Sequence, residues 1–409
     1  MTVSRSVLAV VLLATAMSNL DQSIVGVALP TIRQTYAVDV DTVQWVVLAY
    51  QLAIVAVLLI AGQLTDRIGA RRIFLGGLTI FTLASLLCAV ALTIEQLIVF
   101  RGMQGVGAAM LLVTGQTLLT DAYPAAQRGS AMSYMHMAVA IGLTIGPSLG
   151  GLLIAAVNWR VIFLVNLPAG IIGLWLAWRH LPTSATRMAT SAPVNLSAFR
   201  TWPLIAGILA AFLTFVALAS NMFLIPFALQ PLMGLTAAQA GLVMITVPLT
   251  ILVVAPLSGH LADRVGPRWP ATAGVGLVTI AILLMSQLRS GSAVAFAVMT
   301  LVLYGIGAGF FQAPNNAAVM TAAPCDARGM VSGVLALARS LGQIGGVALA
   351  GAIWSWRQEV YERTPGGIEP LGGSLRDAFL VLAMVAVVAV VMSLLRGGIR
   401  SQQQEVIND

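Results

Sequence analysis

Asp21, Arg101, Arg339 and His136 are ionisable side chains set inside long apolar runs of this 409-residue chain. A charge in the middle of a membrane span costs at least about 2.5–3.5 kcal/mol on insertion scales, so it faces a protein interior or a wet cavity and marks a function. A repeat sharpens the choice. Pro124, Arg128 and Gly129 recur as Pro324, Arg328 and Gly329, and Gly105, Gly107 and Ala108 recur as Gly305, Gly307 and Ala308. At the same offset Asp21 faces Asn221, Arg101 faces Leu301, and Arg339 faces Val139. Residues shared by both halves serve the scaffold, so the one-sided charges are the candidates for coupling chemistry. At 1.5 Å per residue, Asp21 lies roughly 14 Å and Arg101 roughly 7 Å from the outer ends of their spans, and the two are expected to meet.

Composition dictates the elements that must position these groups. With 59% hydrophobic and 9% charged residues, the chain lies far from the soluble average of about 25% charged. Spans of about 20 apolar residues cross a bilayer core. Such spans are read near 7–29, 43–64, 73–93, 97–120, 129–156, 161–180, 203–230, 237–258, 270–288, 294–318, 328–354 and 375–396. Continuous rather than alternating runs make them helices, not barrel strands. The predicted fold is an all-α membrane protein with twelve transmembrane helices in two pseudo-symmetric six-helix bundles. The bundles cover 1–180 and 203–396, joined by a cytoplasmic linker over 181–202 and followed by a cytoplasmic tail over 397–409. A polar stretch from Arg357 to Arg376 falls outside.

Every basic residue is Arg, and most fall in loops that are cytoplasmic if the N-terminus is inside, as the positive-inside rule requires. Both termini are then cytoplasmic, with the chain in an inner membrane. The net charge of +7 therefore reports orientation and lipid contact rather than nucleic acid. Trp159, Trp202, Trp269, Trp354 and Trp356 sit at predicted span ends and are read as headgroup anchors. The first span runs past Asp21 to Pro30 without a cleavage site of A-x-A type and is expected to remain. Cys88 and Cys325 suggest neither a disulfide nor a metal site. No metal, cofactor or enzyme activity is expected. With no lysine there is no phosphate-cradling loop for ATP, so an ion gradient is the expected energy source.

Two six-helix halves related by a repeat form a cleft near the bilayer midplane, exposed alternately as the halves rock. The loops suit such motion. Gly62, Asp66, Gly69 and Arg72 follow span 2, and Gly259, Asp263, Gly266 and Arg268 follow span 8. Glycine permits a tight turn, while a carboxylate can latch onto arginine or a helix N-terminus in one conformation and release it in the other. This pair resembles the signature loop of the major facilitator superfamily. Arg101 to Ala109 resembles its motif B, and Gly142, Gly146, Pro147, Gly150 and Gly151 resemble its antiporter motif C. Small residues let helices approach and proline bends them, so span 5 is expected to act as pivot and seal. Leu20 to Pro30, with Trp159, Arg160, Phe163, Asn166 and Pro168, is similar to the drug:proton antiporter branch. That branch usually has fourteen helices and an Asn where Gly26 stands, and 181–202 has no room for two more helices, so the resemblance is to a twelve-helix form.

The resemblance implies a proton-coupled antiporter that exports drugs or small amphipathic compounds, functional as a monomer. Asp21 is the expected proton site: Arg101 favours its charged form and desolvation its neutral form, and opposed influences make a switch. Cationic cargo competing for the carboxylate would complete the exchange. A static ion pair that sets helix register is the bland alternative. Arg339, beside Ser340, Gly342 and Gln343, binds either an anionic cargo group or a carboxylate. His136 is either a proton relay, given an unperturbed pKa of about 6.5, or a packed, hydrogen-bonded side chain. Gln51, Gln116, Asn221, Phe223, Gln312, Asn315 and Asn316 are candidates for a mainly apolar cargo cleft with a few polar groups, or for interhelical hydrogen bonds. A proton symporter or facilitator for a metabolite, and a non-transporting receptor on the same fold, are the rival readings.

Overall fold

The computed structural model describes residues 2–124, 127–182, 201–324, 328–363 and 369–396, apart from the side chains of 2–4, 59, 128, 129, 220, 221, 328 and 329. Its helices are α1 (Thr2–Tyr36), α2 (Val40–Val43), α3 (Trp45–Ile68), α4 (Ala70–Val90), α5 (Ile94–Ala122), α6 (Arg128–Ala156), α7 (Val161–Leu164) and α8 (Asn166–His180) in the first half. The second half holds α9 (Trp202–Phe227), α10 (Ala237–Met244), α11 (Thr246–Val265), α12 (Arg268–Met285), α13 (Val294–Ala322), α14 (Arg328–Glu362) and α15 (Pro370–Leu395). Joining the broken pairs α2/α3, α7/α8 and α10/α11 gives 12 helices long and apolar enough to cross a membrane. A π-helical turn over Ala228–Leu232, carrying Pro231, extends α9. Most of the linker, the tail and Cys325 lie outside the described residues.

The spans overrun the apolar windows read from the sequence. Helix α1 continues to Tyr36, and α14 continues through Arg357 to Glu362, so the first part of the stretch taken as an outer loop is helical. Arg357 and Tyr361 there hold the Asp377 carboxylate of α15. In each half a glycine with positive φ breaks one span from the next: Gly69 (φ 93°) between α3 and α4, and Gly266 (φ 82°) between α11 and α12. Only glycine adopts that conformation freely, which accounts for their matched spacing.

The repeated glycines are contact points between backbones. A Cβ placed on Gly107 of α5 would lie 2.7 Å from the Gly77 carbonyl oxygen and 2.7 Å from the Phe81 nitrogen of α4. On Gly307 of α13 it would meet the Gly274 oxygen and Val278 nitrogen of α12 at the same 2.7 Å. Close approach of this kind drives helix association where lipid offers no hydrophobic advantage. One structural element, copied, holds each bundle together.

With the start of α1 and the end of α15 on one face, called the near face, the described residues join the halves toward the opposite, far face. There a single apolar cluster runs across both, from Ile24, Val27 and Val43 to Phe227, Val243 and Trp354. Toward the near face each half has its own separate core, one around Phe74 and Leu118, the other around Phe311 and Val331. The cleft between the halves is therefore closed at the far face and open at the near face.

Gly107→Val and Gly307→Val should each force backbone displacement and lower stability by about 1–3 kcal/mol. Gly276→Ala, whose Cβ meets nothing within 4 Å, should not lower the thermal midpoint. Unfolding of the detergent-purified variants checks the contrast.

Candidate functional site

Asp21 of α1 and Arg101 of α5 do meet. Arg101 Nη1 donates to Asp21 Oδ2 at 2.6 Å, and the two side chains are 1% and 0% exposed. The other carboxylate oxygen accepts from Gln104 Nε2 at 2.8 Å and from Asn166 Nδ2 at 2.7 Å. Arg101 also donates from Nη1 to Gln104 Oε1 at 2.6 Å and from Nε to the Val46 carbonyl at 3.0 Å. Ser85 Oγ accepts from Gln104 at 2.8 Å and from Asn166 at 3.3 Å. The Tyr50 ring covers the guanidinium with its centroid 4.3 Å away. Five spans of one half thus enclose one ion pair, and every charged oxygen has a donor. Desolvated charges are tolerable on this condition alone.

Local sequence explains the assembly. Arg101 and Gln104 stand one turn apart and so share a face of α5. Thr93 caps that helix by accepting from the Gln96 N–H. Gly105, on the neighbouring face, brings α5 against the Tyr50 backbone of α3, which places the Val46 carbonyl and the Tyr50 ring over the guanidinium. Arg160 staples the loop beside it, donating to the carbonyls of Ala89 and Ala91, and Tyr36 donates to the same Ala91 oxygen.

The second half fills the corresponding space without ions. Leu301 is buried where Arg101 would stand, and Tyr304, the counterpart of Gln104, donates to the Leu218 carbonyl at 2.7 Å. The register of the Gly77 and Gly274 contacts matches Ser85 with Ile282, which is also buried in apolar packing.

Around motif C, α1 and α6 touch backbone to backbone. A Cβ on Gly142 would lie 2.6 Å from the Ala16 oxygen, and one on Gly150 would lie 2.6 Å from Ile24 Cγ1. Ser23, two residues after Asp21, donates to the Gly142 carbonyl at 3.2 Å, and Gly146 packs directly against Ser23. The opposite side of α6 faces the other half: Gly151 abuts the Ala237 carbonyl, and the Pro147 carbonyl abuts Gly241. Gln230 Nε2 donates to the Val27 carbonyl at 2.9 Å, and Gln44 lies against Gly351. These contacts form the far-face seal. A continuous mechanical line runs from Asp21 through α1 and α6 to α10.

Several sequence-based assignments need correction. The carboxylate of Asp21 is walled off from the cleft inside one bundle, so no cargo competes for it directly in this arrangement. Trp354 and Trp159 are buried rather than anchored at headgroups; Trp354 packs on Phe227 with ring centroids 4.6 Å apart. Phe223 belongs to that same aromatic cluster, not to the cleft. Gln51 and Asn315 are buried among helices, Asn315 donating to the Gly207 carbonyl at 3.3 Å. His136 is exposed, not packed, and the structure does not bring it to the Asp21 network. Gln116 is exposed, Gln312 and Asn316 are half-buried, and Asn316 accepts from Arg339. The side chain of Asn221 lies outside the described residues.

In the gating loops Gly62 and Gly259 have open space around them. Asp66 is half-buried and Asp263 exposed, and neither makes a hydrogen bond among the described residues. The arginine matching Arg268 is Arg71 rather than the exposed Arg72: Arg71 Nη2 donates to the Trp178 carbonyl and Arg268 Nη2 to the Leu394 carbonyl, each at 2.6 Å, capping the last span of its half. Gln104 and Ser85 were not singled out by sequence reasoning, and Asn166 entered it only as part of the resemblance to the antiporter branch, with no role assigned. The signals available were Gln104 one turn from Arg101 and its mismatch with Tyr304; Ser85 left none.

The sequence profile described as Major Facilitator Superfamily matches residues 11–347. The riboflavin transporter RibZ of Clostridioides difficile is 29% identical over 386 residues, covering 82% of this chain and 85% of that protein. The multidrug resistance protein Stp of Mycobacterium tuberculosis is 30% identical over 393 residues, covering 82% and 73%. Among solved structures, a bacterial homologue of the human lysosomal transporter Spinster, inward-facing and unoccupied, superposes with a TM-score of 0.80 at 17% identity, covering 96% of this chain and 97% of that one.

Arg101→Leu strands the Asp21 carboxylate and should destabilise the protein by about 3–5 kcal/mol. Adding Asp21→Asn recreates the pair that the second half carries at Asn221 and Leu301, and should restore more than half of the loss. Thermal unfolding of the single and double variants measures this, and simple additivity would contradict it.

Proposed function

This chain belongs to the major facilitator superfamily, and from that premise we propose that it is a proton-driven antiporter exporting small amphipathic organic compounds across the cytoplasmic membrane by alternating access. One observation carries the reading: a fully buried carboxylate on the first span, held by an arginine, is joined through α1 and α6 to the seal between the halves. The near face is then cytoplasmic, and the state described is the one that admits cargo from the cell.

In that state Asp21 is ionised and paired with Arg101. After the swing outward, an external proton neutralises Asp21 and removes its charge-assisted bond to Arg101, which is roughly twice as strong as a neutral one. Weakened pairing frees α1 relative to α5, and Ser23 and Gly142 pass the shift to α6. Closure of the Pro147 and Gly151 contacts on α10 restores the inward-open form, reforms the ion pair and expels the proton to the cytoplasm. Asp66 and Asp263, without partners among the described residues here, are the latches expected to engage when the near face closes. His136, Gln116 and Gln312, polar and accessible within spans, line the proposed cargo route. The resistance protein among the relatives supports export of toxic compounds, while the riboflavin transporter keeps uptake of a metabolite as the second reading.

Reconstituted into liposomes with an imposed pH gradient, the wild type should concentrate cargo against its gradient. Asp21→Asn should lose gradient-driven accumulation by about tenfold or more while retaining downhill exchange. Unaltered coupling in that variant would overturn the assignment, and accumulation in the symport direction would favour the second reading.

A further inference from the structure

The spans hold a cation with no counter-charge. Arg339 stands about eleven residues into α14, roughly 16 Å from its near-face end at the helical rise. It is half-buried. Its guanidinium donates to the side-chain oxygen of Asn316 on α13 and lies over the Phe215 ring of α9, 5.8 Å from the centroid. No carboxylate reaches it among the described residues. Asp21 is taken by Arg101 in the other half, and Asp377 by Arg357 at the far-face end.

The guanidinium is on the cleft side of its helix. Gly342 and Gly346 pack against the Phe212 and Val216 backbone of α9, and Leu335 is buried in the half's core. The remaining face carries Ser332 and Ala336, both exposed, then Arg339 and Gln343, both half-buried. Spacings of four, three and four residues place these on one stripe. A polar stripe on an otherwise apolar span turns toward water or protein, not lipid, and here the near-face opening between the two separate cores receives it.

A guanidinium offers five donors in a planar fork that matches a carboxylate, phosphate or sulfonate. Asn316 occupies only part of that fork, and its own amide N–H groups make no bond among the described residues. A group with the opposite preference is missing: among the described residues no accessible carboxylate lies deep in the spans to hold a cationic compound. We infer that the cargo is an organic anion, its acidic group held by Arg339 and Asn316 and its apolar body lying along the cleft. This rests on the export reading and narrows its cargo to one charge class, replacing the cation expected to compete for Asp21.

A matched trio of dyes tests it: dansylglycine (anionic), dansylamide (neutral) and dansylcadaverine (cationic), measured by equilibrium dialysis against the purified full-length protein in neutral detergent. The wild type should bind dansylglycine about tenfold or more tightly than the other two. Arg339→Gln should remove that preference while keeping the thermal midpoint of the wild type, which shows that the variant is folded, and Arg339→Lys should keep part of it. A wild type without preference for the acid, or a preference that survives Arg339→Gln, overturns the inference. The same dyes in liposomes with a pH gradient separate the two proposals. Gradient-driven movement of dansylcadaverine equal to that of dansylglycine, unaffected by Arg339→Gln, keeps export and overturns the anion. Acid-selective binding with no gradient-driven movement overturns export and keeps the site.

Discussion

A carboxylate and a guanidinium cannot be removed from water together unless nearly every lone pair and proton finds a partner inside the protein. That requirement organises the first six spans. Asp21 and Arg101 recruit Gln104, Asn166, Ser85 and a main-chain carbonyl, and each recruit comes from a helix whose position is set by something else: Gly105 brings α5 onto α3, and Gly107 brings it onto α4. Small residues supply proximity, and the polar network turns proximity into register. An isolated ion pair of this depth would be a liability. Enclosed as it is, it ties α1 to α5, and on the proposed reading a single proton on Asp21 loosens that tie.

The second half shows what the same scaffold looks like without that dependence. It repeats the close backbone approach at Gly307 that the first half makes at Gly107, and then fills the ionic site with Leu301, Ile282 and the tyrosine hydroxyl of Tyr304. Its deep charge stands elsewhere, at Arg339, held by Asn316 and, on the proposed reading, facing the cleft. The division is physical: one half buries a balanced ion pair, the other holds a guanidinium with no carboxylate beside it among the described residues. Motif C links them, because α6 packs by glycine on α1 through one side and on α10 through the other.

Much of this was legible in the chain. Twelve spans, two halves and the meeting of Asp21 with Arg101 follow from hydropathy and from asking which charges break a repeat. The turn glycines Gly69 and Gly266 were legible because positive φ leaves few alternatives. What failed was direction. Trp354 and Phe223 occupy positions where a headgroup anchor or a cleft aromatic would stand, yet their rings turn inward into the joint between halves, and residue type cannot distinguish a face that meets lipid from one that meets the partner bundle. The polar recruits failed for a related reason. Serines and amides occur throughout polytopic proteins, and only the depth of a neighbouring charge tells which of them must be satisfied.

The charge inventory ties the two halves to one energetic argument. The enclosed pair is neutral as a whole, and on the proposed reading an empty cleft carries the positive charge of Arg339, which no carboxylate balances among the described residues. Closing a cleft around an unbalanced charge desolvates it without compensation, whereas closing it around an anion bound to that charge desolvates a neutral unit. On the proposed reading, loaded transporter therefore swings more readily than empty transporter. Outward movement of an anion from a negative-inside cell is favoured by about 2.3 kcal/mol per charge per 100 mV, and inward movement of the proton on Asp21 is favoured by the same field. In the proposed cycle protonation of Asp21 is the complementary step: it removes the negative member of the pair and leaves Arg101 unbalanced within the bundle until the helices shift and the proton departs. In that cycle each half makes one conformation unfavourable until its own ion arrives, and α6, packed on α1 and on α10, is where the two demands meet.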